Sequence, residues 1–403
     1  MNPLPIVLSI GRRNPGATAL FILLITIAMA LGVALSISER AMRRGSADAA
    51  DKFDIVVAAP GNQTALLMST VYLRPDPGPL LDAKLFAKLL ADPDAEFVAP
   101  IGFGDSFRGA PIVGTTGPFI LHLAGALAEG RLFLTDEEAV VGSASPLAVG
   151  ESLKPVHGQS HPFNPSGQHE HGAIRIVGRM APTGTPWDTA IITPIEQVWA
   201  AHGLPSGRPD GSQRLGPPFD ADSLSGVPAV VVKPKGGSIA KAYQLRQRYR
   251  GAASTAFFPA EVLVQLYGLL GDARKLMSLM ALISQGLVLA AILVAVLAIL
   301  QLNRQRLALL RALGAGRLYI FAVVWTYITG LVASGAVLGI VAGALLAQVI
   351  SAVLTRETGI VFQATLGGPE WMLAGIIVIC GSALALIPAI LLYRRPLAGA
   401  LNG

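Results

Sequence analysis

Gly16–Ile37 reads GATALFILLITIAMALGVALSI, a run with no charged side chain. As a helix rising about 1.5 Å per residue, it is long enough to cross about 30 Å of hydrocarbon. Working outward, three further runs pass the same test: Leu276–Leu302, Leu318–Thr355 and Trp371–Tyr393 each lack Asp, Glu, Lys, Arg and His. The third is too long for one perpendicular span, so its C-terminal part, around Leu346 to Leu354, is expected to project beyond the bilayer or to lie tilted. The spans are therefore set at 16–37, 276–302, 318–345 and 371–393, with 346–370 expected as an extracytoplasmic loop. Arg12 and Arg13 precede the first run as in a signal peptide. The run exceeds a signal core, however, and Ser38-Glu39-Arg40-Ala41-Met42-Arg43-Arg44 offers no small-residue cleavage site, which indicates an uncleaved anchor.

The composition agrees. The 403 residues are 52% hydrophobic and only 14% charged, too apolar for an ordinary soluble enzyme of this length. Cys380 is the single cysteine, so neither an intrachain disulfide nor a CxxC zinc site can form. The net charge is +6, and its placement explains it. Arg12, Arg13, Arg304, Arg306, Arg311, Arg317, Arg394 and Arg395 fall on one side of the spans with no acidic residue. On the other side 23 basic and 25 acidic residues nearly cancel. This is the positive-inside pattern of a multi-pass membrane protein, not the footprint of a nucleic-acid binder. The tails 1–15 and 394–403 and the loop 303–317 are expected in the cytoplasm, and the rest of the loops outside it.

Residues 38–275 have mixed charge, frequent Pro and Gly, and short β-like runs at Asp54–Val57, Ala139–Gly142, Ala173–Gly178, Ala190–Thr193 and Val227–Val232. Leu81, Leu85, Phe86, Leu89 and Leu90 form a helical stripe, and Ile239–Arg250 and Phe258–Leu270 read as helices. The expected fold is an α-helical membrane domain of four transmembrane helices, with a large mixed α+β extracytoplasmic domain inserted between helices 1 and 2.

Secondary transporters and pumps bind ions at membrane depth through ionisable residues. The four spans carry none. Thr26, Ser284, Gln285, Thr326, Gln348 and Ser382 read as helix–helix hydrogen-bonding groups, and Gly335, Gly339 and Gly343, four apart, put small residues on one face for close packing against a helix of this chain or of a second copy. Such a membrane part is suited to transmit motion. No Gly-x-x-x-x-Gly-Lys-Ser/Thr phosphate cradle occurs, so no ATPase activity is expected of this chain.

The cytoplasmic loop Arg304-Gln305-Arg306-Leu307-Ala308-Leu309-Leu310-Arg311-Ala312-Leu313-Gly314-Ala315 resembles the signature of the FtsX-like/MacB-like ABC transporter permeases. The order of one span, a large outer domain and three spans is similar too, as are Gly130-Arg131-Leu132-Phe133 with Glu138–Gly142, Ile176-Val177-Gly178 with Asp188–Ile191, and Pro388 with Tyr393-Arg394-Arg395-Pro396. Arg306 stands where that family usually has an acidic residue. The resemblance implies a permease subunit of the mechanotransmission type in a bacterial inner membrane. It implies partners as well: a separate cytoplasmic ATPase that supplies the ATP hydrolysis, a second permease chain in a homo- or heterodimer, membrane lipids, and a periplasmic protein. Export or extraction of a substrate follows from it, with Arg304, Arg306, Leu310, Arg311, Leu313 and Gly314 as the ATPase-coupling loop. No catalytic residue is expected.

His157, His161, His169 and His171 fall in one Gly-, Pro- and Ser-rich stretch, 157–171. Imidazole is the common neutral ligand of Zn²⁺, so the stretch is a candidate metal loop; the plainer reading is a solvated polar insertion. A metal-linked substrate would follow from the first reading. The alternative function is a membrane-anchored signalling or scaffold protein that regulates an extracytoplasmic partner or senses metal through this loop.

Overall fold

The computed structural model describes residues 2–74, 78–155, 172–208, 214–220, 222–269 and 314–394, and a few positions between 279 and 294. The chain divides into two compact units. One comprises Met1–Arg43, Gly271–Val353 and Phe362–Gly403; the other Arg44–Leu270 and Leu354–Val361.

In the first unit α1 (Leu4–Arg13) precedes α2 (Pro15–Asp51), and α9 (Arg317–Thr358) and α10 (Gly368–Arg394) close the chain. Among the described residues two helices, Pro15–Asp51 and Leu318–Thr358, are long and apolar enough to cross a membrane; the apolar stretch Gly368–Leu384 is shorter. The expected span 276–302 lies almost wholly outside the described residues.

Two helices extend beyond the spans read from the sequence. Helix α2 does not end with its apolar run but continues to Asp51. Glu39, Arg40, Ala41, Met42 and Arg43 are strong helix formers, Glu39 and Arg43 approach to 3.9 Å one turn apart, and Ala41, Ala49 and Ala50 are buried. The stretch 346–370 is not all loop, since α9 runs unbroken to Thr358. No helix breaker intervenes until Gly359, which sits at φ +72 and returns its N–H to Thr355 O at 2.9 Å. The loop is confined to Gly359–Gly367.

The second unit is mixed α and β. Its strands are β1 (Ile55–Ala58), β2 (Ala95–Phe107), β3 (Ala110–Thr115), β4 (Leu127–Gly130), β5 (Glu138–Val141), β6 (Ser152–Leu153), β7 (Ile174–Met180), β8 (Ile191–Pro194), β9 (Ala229–Pro234) and β10 (Thr255–Phe257). They form one sheet in the order β10-β1-β9-β2-β3-β8-β5-β7-β4, with β6 on β7. The pairs β3–β8 and β5–β7 are parallel, the others antiparallel. Helices α3 (Gln63–Thr70), α4 (Ala83–Leu90), α5 (Gly117–Ala124), α6 (Ile195–Ala201), α7 (Ile239–Tyr249) and α8 (Pro259–Leu269) cover it.

Period-2 alternation divides the core between the two faces. Val56, Ala58, Ala99 and Val231 pack with Ala50 of α2, Leu67 of α3, Phe119 of α5 and Leu263 of α8. Ile55, Val57, Val98, Val230 and Val232 pack with Phe86 and Leu89 of α4, Ile195 and Trp199 of α6, and Leu245 and Tyr249 of α7. Both faces are buried, which is why Val230-Val231-Val232 is continuously apolar instead of alternating. Asp82 starts α4 by accepting from Lys84 N at 2.9 Å.

Candidate functional site

The sequence-predicted site residues fall mostly outside the described residues. Arg304, Arg306, Leu310, Arg311 and Leu313 of the coupling loop do so, and so do His157, His161, His169 and His171. Gly314 is described: exposed, at φ +91, it turns the chain into α9. Its dihedral explains why the loop pattern ends in glycine. Among the described residues no group of three or more His, Cys, Asp or Glu is placed to hold a metal ion.

The glycine stripe has a partner within the same chain. A Cβ on Gly335 would stand 2.7 Å from Ile25 Cβ, one on Gly339 2.7 Å from Met29 Cγ, and one on Gly343 2.7 Å from Val33 Cβ, so α9 lies backbone-close along α2. Gly381 admits Val332 in the same way, bringing α10 against α9. The polar groups of these helices serve the packing. Thr18 Oγ1 meets Tyr327 Oη at 2.8 Å, and Thr329 Oγ1 meets Ser382 Oγ at 3.2 Å. Helix α1 packs Val7 and Ile10 against Tyr327 and Leu331, leaving Leu4 and Leu8 exposed.

A buried ion pair joins the same helices, and sequence reasoning missed it. Arg40 of α2 donates to both carboxylate oxygens of Glu370 in α10, Nη1 to Oε1 at 2.9 Å and Nη2 to Oε2 at 3.0 Å. Arg40 Nη2 also reaches Thr365 O at 2.7 Å. Ser36 Oγ donates to Glu370 Oε1 at 2.7 Å and Gly367 N to Oε2 at 2.8 Å, so the fully buried carboxylate is well satisfied. The signal was present in the sequence: Arg40 just follows one apolar run and Glu370 just precedes another.

In the second unit the segment Gly130-Arg131-Leu132-Phe133 shows its physical basis. Gly130 has φ +74, and a Cβ there would collide with Val177 O. Arg131 forks onto Glu138, Nη1 to Oε2 at 2.7 Å and Nη2 to Oε1 at 2.5 Å, while Leu134 N donates to Oε2 at 2.8 Å. These donors hold the Glu138 carboxyl down at about 2. The basic helix α7 spends its charge inside this unit: Arg246 pairs with Glu261 at 2.7 Å, and Arg248 with Asp92 at 2.6 Å and Asp94 at 3.0 Å. Burial favours the neutral Asp92 acid, but Arg248 and Tyr249 outweigh it and its pKa falls. A solvated, internally paired face accounts for these arginines.

The same unit contains a tight turn, Thr183-Gly184-Thr185-Pro186-Trp187-Asp188. Asp188 is buried and accepts from Thr183 N at 2.9 Å, Thr183 Oγ1 at 2.8 Å and Gly184 N at 2.8 Å. Trp187 is fully buried, donates Nε1–H to Thr70 O at 3.2 Å, and has Phe53 and Phe119 beside its ring. Trp187 is therefore a core packing residue.

Residues 278–397 match the family model of the FtsX-like permease C-terminal domain. No curated protein matches the chain. Among solved structures, the chain is similar to the periplasmic region of MacB from Actinobacillus actinomycetemcomitans, with 11% identity over 53% of this chain and 92% of that one and a TM-score of 0.32. It is also similar to the extracellular domain of the noncanonic ABC-type transporter YknZ from Gram-positive bacteria, with 9% identity over 50% of this chain and 98% of that one and a TM-score of 0.29. The C-terminal sequence match is the informative one: residues 278–397 resemble the FtsX-like permease C-terminal domain.

Proposed function

We propose that the protein is the permease subunit of an ABC transporter that converts ATP hydrolysis on a separate cytoplasmic ATPase into movement of its outer domain. The family match over 278–397 carries this reading. The described helices support it physically. Their packing faces are closely interlocked, α2 continues as a single helix to Asp51, well past its apolar stretch, and α9 is one unbroken helix to Thr358. A helix of 37 residues spans about 55 Å without a joint, so displacement at one end is delivered to the other.

The loop 303–317 is the docking surface for the ATPase in this reading. Arg311 and its neighbours Arg304 and Arg306 supply charge, and Leu310 and Leu313 apolar side chains. The membrane is a bacterial inner membrane with both termini on the ATPase side, and cargo leaves the site through the outer domain, not through the spans. The test is co-purification from membranes. Changing Arg304, Arg306 and Arg311 together to Ala is expected to abolish ATPase association while leaving the permease folded and inserted. ATPase association at the wild-type level overturns the docking role.

A further inference from the structure

Two segments of chain that follow apolar helices, and helix α8, meet within the second unit, and the first two bond to the same turn. At the end of α2, Lys52 Nζ donates to Thr183 O at 2.6 Å, and the next residue, Phe53, is buried against Trp187 and Phe119. Just beyond α9, Val361 N donates to Gly184 O at 3.3 Å, and Gly359 stands so close that an added Cβ would be 3.0 Å from Pro186 Cα. Helix α8, which leads to the second apolar run, joins α2 through Tyr267 Oη and Ser46 Oγ, and Tyr72 Oη donates to Ser46 O at 3.2 Å. Tyr72 lies two residues past Thr70, whose carbonyl receives the Trp187 indole.

The turn itself cannot absorb a push. Asp188 ties Thr183 and Gly184 to the start of the next strand, and Thr185 Oγ1 lies 2.7 Å from Thr183 Oγ1. After the turn the chain passes directly into β8, between β3 and β5 near the middle of the sheet, and Asp188 O and Ala190 O receive Ala144 N at 2.8 Å and Gly142 N at 2.9 Å. A buried, fully bonded turn fused to a central strand is a rigid receiver, because close-packed interiors pass strain on without yielding.

We propose that the turn Thr183–Asp188 is the force-transfer point of this permease, where displacement of α2 and of segment 359–361 is imposed on the sheet, with Lys52 and Val361 as the positioning contacts. The proposal rests on the transporter reading above. It assigns to the TGTPWD sequence a mechanical role: Lys52 and Val361, which follow the two helices, bear on one carbonyl each, and the sheet follows as one body.

The test uses the full chain with its co-purified ATPase in lipid nanodiscs, with ATP alone as the added ligand, and reads hydrogen–deuterium exchange in β5 and β8. The wild-type complex is expected to show an ATP-dependent change there. Lys52→Met, which keeps the stem and removes the donor, is expected to lose that change while ATP hydrolysis, Tm and nucleotide-free exchange stay as in wild type; Lys52→Arg, which keeps a donor, restores it. A second variant joins the contact covalently. The Cβ atoms at 184 and 361 would be 3.6 Å apart, within the disulfide range of about 3.5–4.5 Å, so Gly184→Cys with Val361→Cys in a Cys380→Ala background can be oxidised across the contact. The oxidised protein is expected to keep the ATP-dependent change. If Lys52→Met keeps it at full size, or if cross-linking removes it, the rigid junction is overturned and the transporter reading stands. If the wild-type complex hydrolyses ATP with no change anywhere in the second unit, the transporter reading fails and takes the junction with it.

Discussion

At the scale of single residues, the Arg131–Glu138 fork makes a pH-dependent prediction. Its carboxyl lies at about 2 against an ordinary value of 4.5, so it is depressed in the folded protein. The stability it contributes is therefore present above about pH 4.5 and is lost as pH falls from there toward 2. Glu138→Gln should flatten that part of the acid limb when Tm is followed from pH 6 to pH 3, with little effect at neutral pH beyond the roughly 1 kcal/mol of a half-exposed ion pair. An unchanged acid limb would remove this carboxylate from the account. Gly130→Ala should be far more damaging, because its Cβ meets Val177 O and its φ is left-handed; a loss of a few kcal/mol, read as a lower Tm or poor recovery of folded protein, is expected. The pattern Gly130-Arg131-Leu132-Phe133 was legible in the sequence as a unit, but its cause was not. The collision is with a strand 47 positions away, and contacts of that separation leave no trace in local spacing.

At the scale of elements, the glycine stripe and the Arg40–Glu370 pair bind α2, α9 and α10. Gly339→Leu places a full side chain where even a Cβ meets Met29, and should lower the Tm of the purified protein in detergent by several degrees; an equal Tm would show that α9 can draw back from α2 without loss. Arg40→Met strands the fully buried Glu370 carboxylate and is expected to cost about 3 kcal/mol. Adding Glu370→Gln should recover most of that cost, since the penalty belongs to the unpaired charge more than to the pair. Additive losses in that double-mutant cycle would contradict the ion-pair account. The period of four in Gly335, Gly339 and Gly343 marked a packing face from sequence alone, while the choice between this chain and a second copy came only with Ile25, Met29 and Val33 in contact. Helix ends lie beyond the apolar runs. Hydropathy reports where lipid-compatible sequence stops, whereas the helix stops where a breaker such as Gly359 appears.

At the scale of the whole molecule, the arginine-only loops predict an ATPase docked on one side, and the alanine series at Arg304, Arg306 and Arg311 tests it. Salt adds an independent check: contacts made by exposed arginines weaken as the Debye length shrinks from about 10 Å at 0.1 M to about 3 Å at 1 M, so association should fall with added NaCl. Association indifferent to salt would point to Leu310 and Leu313 alone. The sequence by itself carried the apolar runs, the expected spans, the one-sided placement of arginines and the permease-like signature. Those properties depend on composition, on run length and on which residues are neighbours along the chain. Only the tertiary structure decided that the His122 ring sits on Asp54 at 3.0 Å, that Trp187 is core, and that Lys52 and Val361 reach one turn from chain positions more than 300 apart. Such meetings follow from the order of strands in the sheet and from close packing on both its faces, and neither has a period that can be read along the chain.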